Sequence, residues 1–270
     1  MQNVDPGALY QKAMSSLGIG AALWTPEDRV EIGDVGYFHH GSFIRMFNVM
    51  TPPHEYPNQG TLPDDYEVLE NKEIVKTEVK PMIKMKNVSL KSPSLSDYTS
   101  EPTPFAFPKR FRFVANGGPS AVLLTLEDAV VEEIKPDPVF ETHFMNNHRL
   151  WISAARQYLS QVLHEEDLVL IRGHTKINSR WVAIAVQGSG SFVVEVNQSN
   201  GTSVTCDKGL QYAVHRGFLG TTTTARELHN RNILEGLIST PYVEEGQCLL
   251  VKYYCMKRRL WGSPKVVSVA

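Results

Sequence analysis

A chain of 270 residues, 42% hydrophobic and 21% charged, has the make-up of a globular protein able to bury a core without metal or disulfide support. A net charge of −2 argues against a general nucleic-acid binder, which carries a strongly basic balance, so no nucleic-acid partner is expected. The three cysteines, Cys206, Cys248 and Cys255, are odd in number and lack CxxC spacing, which points to a reducing, cytoplasmic setting.

The first residues lack a basic stretch followed by an apolar core, so no signal peptide is expected. No apolar run reaches the roughly 18 residues of a spanning helix. Residues 7–17, GALYQKAMSSL, place Leu9, Ala13 and Leu17 near one face of a short N-terminal helix. In GDVGYFHHGSFIRMFNV, residues 33–49, aromatic and β-branched runs flank HHG and predict a β-hairpin. The Pro-, Asn- and Gly-rich stretch TPPHEYPNQGTLPDD that follows reads as loop. Residues 74–86, IVKTEVKPMIKMK, alternate apolar with mostly basic positions, the pattern of a half-buried strand, and Pro81 suggests an edge or a bulge.

Residues 92–108 are the most loop-like stretch and the candidate linker or mobile segment. Beyond them, RFRFVA and AVLLTL read as two strands split by the turn NGGPS, and LEDAVVEEI reads as a short acidic helix. Asp137 as N-cap and Pro138 in the first turn open the strongest helix, with Phe140, Phe144, Trp151, Ala155, Tyr158 and Val162 at helical spacing. DLVLIRG, the hairpin RWVAIAVQ–GSGS–FVVEVN, TSVTC, LQYAVHRG and CLLVKYYCMKRR predict further strands. TARELHNRNILEGL predicts another helix. RWVAIAV is apolar on both faces, which predicts a central, covered strand. The expected fold is α+β, one domain over 1–270: a mainly antiparallel sheet, one long central helix over about 137–164, and the short N-terminal helix.

The search for chemistry yields no catalytic motif. GSGSF has no following helix to receive a phosphate. No GxSxG elbow occurs, and the three cysteines read as small core residues. His39 and His40 are adjacent, and adjacent strand side chains point to opposite faces, so the pair reads as turn histidines rather than a metal site. His143 and His148 do not share a helix face suited to one ion, and His164 lies outside any HExxH pattern. Adjacent carboxylates, including Glu132–Glu133, read as solvated surface. The residues therefore name no catalytic group, cofactor or metal.

The features left over are basic. Lys76, Lys80, Lys84 and Lys86 line one predicted strand face, and Lys257, Arg258 and Arg259 end the last predicted strand beside Trp261. Cations next to an aromatic ring suit an anionic membrane surface. A different reading is a small-molecule-binding domain or enzyme, with a pocket between the central helix and the sheet near Trp151, His148, Arg172 and His174. A third is a protein–protein interaction module whose partner is unnamed.

The order GDVGYF…G.FIR.FNV, GGPSAVLLTLEDA, DLVLIRGHTKINSRWVAIAV and QCLLVKYYCMKRRLW resembles a family of uncharacterised fungal, mainly basidiomycete, proteins over most of the chain. That resemblance implies no catalytic residues. A looser similarity, from amphipathic strands through a central helix to DLVLIRG and CLLVKYYCMKR, is to fungal gasdermin-like cell-death proteins. It implies a cytosolic protein that moves to acidic membranes, self-associates there and forms a pore. The N-terminal helix departs from that pattern, with Lys12 its single cation, and so does RWVAIAV.

Overall fold

Among the described residues strand far outweighs helix, so the expected α+β fold with a long central helix is corrected to a mainly antiparallel β architecture. The computed structural model describes residues 5–27, 29–52, 63, 66–69, 89–98, 109–125, 129–134, 137–158, 162–177, 180–196, 202–218, 221–224, 246–257 and 265–269. The strand expected over 74–86 and the helix expected in TARELHNRNILEGL lie outside these residues. Contacts gather in two compact units, each built from separate stretches of chain.

The first unit takes residues 1–17, 86–128 and 178–244. Its sheet contains β4 (Ser89–Lys91), β5 (Leu95–Tyr98), β6 (Lys109–Thr125), β9 (Trp181–Val196), β10 (Thr202–Cys206), β11 (Gln211–Phe218) and β12 (Thr221–Thr224). Part of the expected 92–108 linker is thus the strand β5. The two supposed turns, NGGPS and GSGS, are not turns either. β6 and β9 run through them as continuous strands, paired from Lys109↔Val196 to Thr125↔Trp181. At the middle, Gly117 and Gly118 on β6 oppose the single residue Gly188 on β9, a β-bulge. These glycines hold φ of 100°, 75° and 114°, a region that side chains with a Cβ seldom enter. Glycine here bends two strands together instead of ending them.

The bend divides the partners of β9: β11 pairs with its first half and β10 with its second. Asp207, between those two strands, accepts hydrogen bonds from the Ser191 backbone N–H (2.7 Å) and hydroxyl (2.6 Å). Phe113, Phe192 and Val194 from one side of the bend share a core cluster with Val122, Ile184 and Val214 from the other. Trp181 to Val186 are all buried, as expected of a covered central strand. The helix α1 (Pro6–Ser15) packs on β6 and β9 and is capped by Asp5, which accepts from the Gly7 N–H at 2.9 Å. It buries Tyr10, Ala13 and Met14, so Leu9 and Leu17 are only half-buried.

The second unit takes residues 18–85, 129–177 and 245–270. Its sheet runs β1 (Ala21–Glu27), β13 (Gln247–Lys257), β8 (Leu168–Ile177), β2 (Asp34–His39) and β3 (Ser42–Asn48). β14 (Lys265–Val269) also pairs with β13, and β7 (Val130–Glu133) with β8. β7 replaces the acidic helix expected there, because Val130 and Val131 take up register opposite Lys176 and Thr175. The hairpin β2–β3 is as expected: His39 pairs with Ser42. The two loop residues, His40 and Gly41, have φ of 49° and 84°, the positive values a type I′ turn demands.

In that hairpin, Gly36 lies under a backbone carbonyl. A Cβ there would sit 2.2 Å from the Ile44 oxygen and 2.7 Å from the Phe43 ring. Gly36→Ala should therefore cost about 3 kcal/mol in urea unfolding, the scale of overpacking. An unchanged denaturation midpoint would mean that the hairpin yields instead.

The helix α2 (Pro138–Tyr158) lies on one face of this sheet, and is capped as expected by Asp137, whose carboxylate accepts from the Val139 N–H at 2.7 Å. Phe140, Phe144, Trp151, Ile152 and Ala155 pack on Val35, Phe47, Leu170 and Tyr254. The helix stops short of 164. Val162 is 81% exposed, and Arg156 Nε donates to the Leu163 carbonyl at 2.9 Å, holding the returning chain so that Leu163 docks in the core. No helix among the described residues is long and apolar enough to cross a membrane, which leaves strands unaddressed.

Candidate functional site

β13 and β14 are antiparallel, and their last registered pair sets Lys257 opposite Lys265. Both side chains are exposed, and no carboxylate among the described residues forms a salt bridge with either. Directly opposed residues on adjacent strands hold their Cβ atoms about 5 Å apart, a separation at which like charges destabilise the pair. The connection between the strands, residues 258–264, reads RRLWGSP and lies outside the described residues. It contains Arg258, Arg259 and Trp261 of the expected basic patch. Lys265, separated from Lys257 by seven residues, joins the patch only through strand register. The other expected patch, Lys76, Lys80, Lys84 and Lys86, lies outside the described residues.

The four residues expected near a pocket between helix and sheet occupy different environments. Trp151 is 1% exposed and sits among the rings of Phe47, Phe144 and His143 at 5.5, 5.9 and 5.5 Å. His148 is buried, its Nδ1 3.0 Å from the Met145 carbonyl and its Nε2 without a hydrogen-bond partner. Arg172 is buried and donates from Nη1 to the Ile134 carbonyl at 2.9 Å, while its Nε has no acceptor. His174 lines an open cleft of about 370 Å³, together with Glu31, Ile32, Asn48, Thr51, Glu132 and Lys176.

A bulge in β8 produces this arrangement. Leu168 and Leu170 face the core beneath α2, but opposite Lys252 and Tyr253 the register passes from Gly173 to Ile171, so Arg172 is an extra residue that breaks the alternation. Beyond it His174 takes register with Val251 and Lys176 with Cys248. β7 sets Glu132 opposite His174, with its Oε2 3.6 Å from His174 Nε2. Burial, helped by Lys176, pushes the His174 pKa down to about 4, so the ring is neutral and the contact is not an ion pair. Glu133 is the next residue along the strand and pairs instead with Lys252. The adjacent carboxylates are therefore not equivalent surface groups.

His39 and His40 are exposed at the hairpin turn, their ring centroids 4.0 Å apart. Burial pushes the Cys248 thiol up to about 12 and the Cys206 thiol up to about 11, the direction opposite to that of an activated nucleophile. Among the described residues no group of three metal-ligating side chains converges. No family model matches the chain, and no curated protein matches it. Function has to be argued from these side chains themselves.

Proposed function

We propose that this chain is a non-enzymatic protein that docks on anionic membrane surfaces through the end of the β13–β14 hairpin. The observation that carries the reading is the exposed Lys257–Lys265 pair at the base of RRLWGSP. Two opposed ammonium groups repel in water, and a surface of negative headgroups relieves that repulsion. Trp261 supplies the amphipathic ring that favours the membrane interface. In its sharpest form the proposal includes self-association on the acidic membrane, as in the gasdermin-like proteins the sequence resembles. A mainly antiparallel β architecture favours that form, since a closed barrel satisfies every backbone group in lipid.

The test is co-sedimentation with vesicles containing phosphatidylserine, against neutral vesicles, over a range of salt. Binding should be restricted to the acidic vesicles and weaken as salt rises. Changing Lys257, Arg258 and Arg259 together to Ser should weaken it roughly a hundredfold, at about 1 kcal/mol for each cation near the surface. Leakage of trapped dye would extend the reading to a pore. Absence of salt-sensitive binding would overturn it.

A further inference from the structure

We infer that the cleft between residues 31–51 and the β7–β8 pair is a binding site for a small zwitterion with the ammonium and carboxylate groups of a free α-amino acid. One wall is held in place by its own hydrogen bonds. Asn48 Nδ2 donates to the Ile32 carbonyl (2.9 Å) and to Asp34 Oδ1 (2.8 Å), and its Oδ1 accepts from the Met50 N–H (2.8 Å). The Tyr66 hydroxyl, 2.6 Å from the Asn48 carbonyl and 3.1 Å from that of Thr51, ties down the end of the same segment.

The facing wall has unused capacity. His174 is 5% exposed and its Nδ1 meets no partner, a costly state for a buried polar atom with no ligand beside it. Among the described residues Lys176 forms no salt bridge, and the salt-bridge-range contact of Glu132 is to the neutral His174 ring. One cleft thus presents an ammonium, a carboxylate and a buried imidazole, lined on its other side by Ile32, Met50 and Thr51. A lone anion would meet Glu132 and Glu31, and a lone cation would meet Lys176. A molecule bearing both charges satisfies each: its carboxylate on Lys176, its ammonium on Glu132, and a hydrogen bond to His174. The volume, about 370 Å³, lies near the lower end of small-molecule sites, which suits a ligand of this size.

The experiment uses the full chain with ¹⁵N-labelled histidine and follows the His174 ring nitrogens, assigned by their loss in His174→Gln. Each protein-forming amino acid is titrated in turn at millimolar concentration, with acetate and methylammonium as single-charge probes. At least one amino acid should shift the His174 signal saturably where neither single-charge probe does. Lys176→Met, which keeps the aliphatic stem, and Glu132→Gln, which keeps the shape, should each weaken that binding about tenfold or more, as expected for the loss of a charge-assisted contact. The inference is overturned if no amino acid moves the signal, if acetate or methylammonium alone binds as tightly, or if both variants bind like the parent. Vesicle binding by the hairpin end is independent of every one of these outcomes.

Discussion

Trp151→Ala should lower the free energy of unfolding by about 4 kcal/mol, the scale of a large aromatic removed from a core that cannot close over the gap. Trp151 is 1% exposed and lies where α2 meets the sheet of its unit. Its ring stands edge-on to Phe47, at 79° and 5.5 Å, and tilted against Phe144. Phe47 makes a second edge contact, with Tyr66 at 5.5 Å, so truncation would also unseat the aromatic that orders the chain after β3. Interior side chains are packed as densely as a crystal, and α2 is further held by the Asp137 cap and by Arg156 on the Leu163 carbonyl. The cavity should therefore persist. Met145→Ala is the comparison, because Met145 is on the same helix but 48% exposed. Urea denaturation followed by circular dichroism should separate the two by several kcal/mol. Equal costs would show that the helix is not anchored through Trp151.

Stability should fall as pH rises through neutrality, and Asp34 is the reason. Its side chain is fully buried, and burial pushes the carboxyl from its ordinary 3.8 up to about 7. This happens against the pull of Arg45 Nε at 2.9 Å, the Glu31 N–H at 2.8 Å and Asn48 Nδ2 at 2.8 Å. The folded protein thus holds a proton between those two values that the unfolded chain releases. The contribution is fully present below 3.8 and is lost as pH rises through 7, a change of about 4 kcal/mol if the whole shift is realised. Asp34→Asn cannot titrate. It replaces one of the two acceptor oxygens by an NH2 group set against a donor, and so costs some stability at every pH, but its profile should lack this slope. The wild-type advantage over Asp34→Asn should shrink steadily between about pH 4 and pH 8, other titrating groups cancelling in the difference. A flat difference, or one that grows with pH, would show that Arg45 and the two donors outweigh burial.

Much of the local structure was legible in the sequence because it depends on near neighbours in the chain. The Asp137–Pro138 helix start, the hairpin around His40–Gly41 and the doubly buried strand RWVAIAV each follow from capping, turn chemistry or periodicity, and each is present. The reading failed where a local signal has two meanings. NGGP and GSGS carry turn residues, yet glycine also serves a bulge inside a strand, and only the pairing of β6 with β9 sets the two motifs opposite each other. LEDAVVEEI has no strict alternation, and Val130 and Val131 become strand because β8 offers them an edge.

The same division runs through the sites. Arg258, Arg259, Trp261 and Lys257 are neighbours in the chain, so their cluster can be read directly. Lys265 joins them by register, and the cleft gathers Glu31, Asn48, Glu132, His174 and Lys176 from segments up to about 145 residues apart. The sequence by itself determined that this chain is antiparallel in character, where a helix starts, which strand is covered, and that its most conspicuous charged end is basic. Tertiary structure alone decided that helix is the minor partner, that two glycine motifs form one bend, and that an unpartnered histidine faces a lysine and a glutamate. Capping and periodicity act over a few residues, whereas register, burial and the spare valence of a buried ring exist only once distant strands have met.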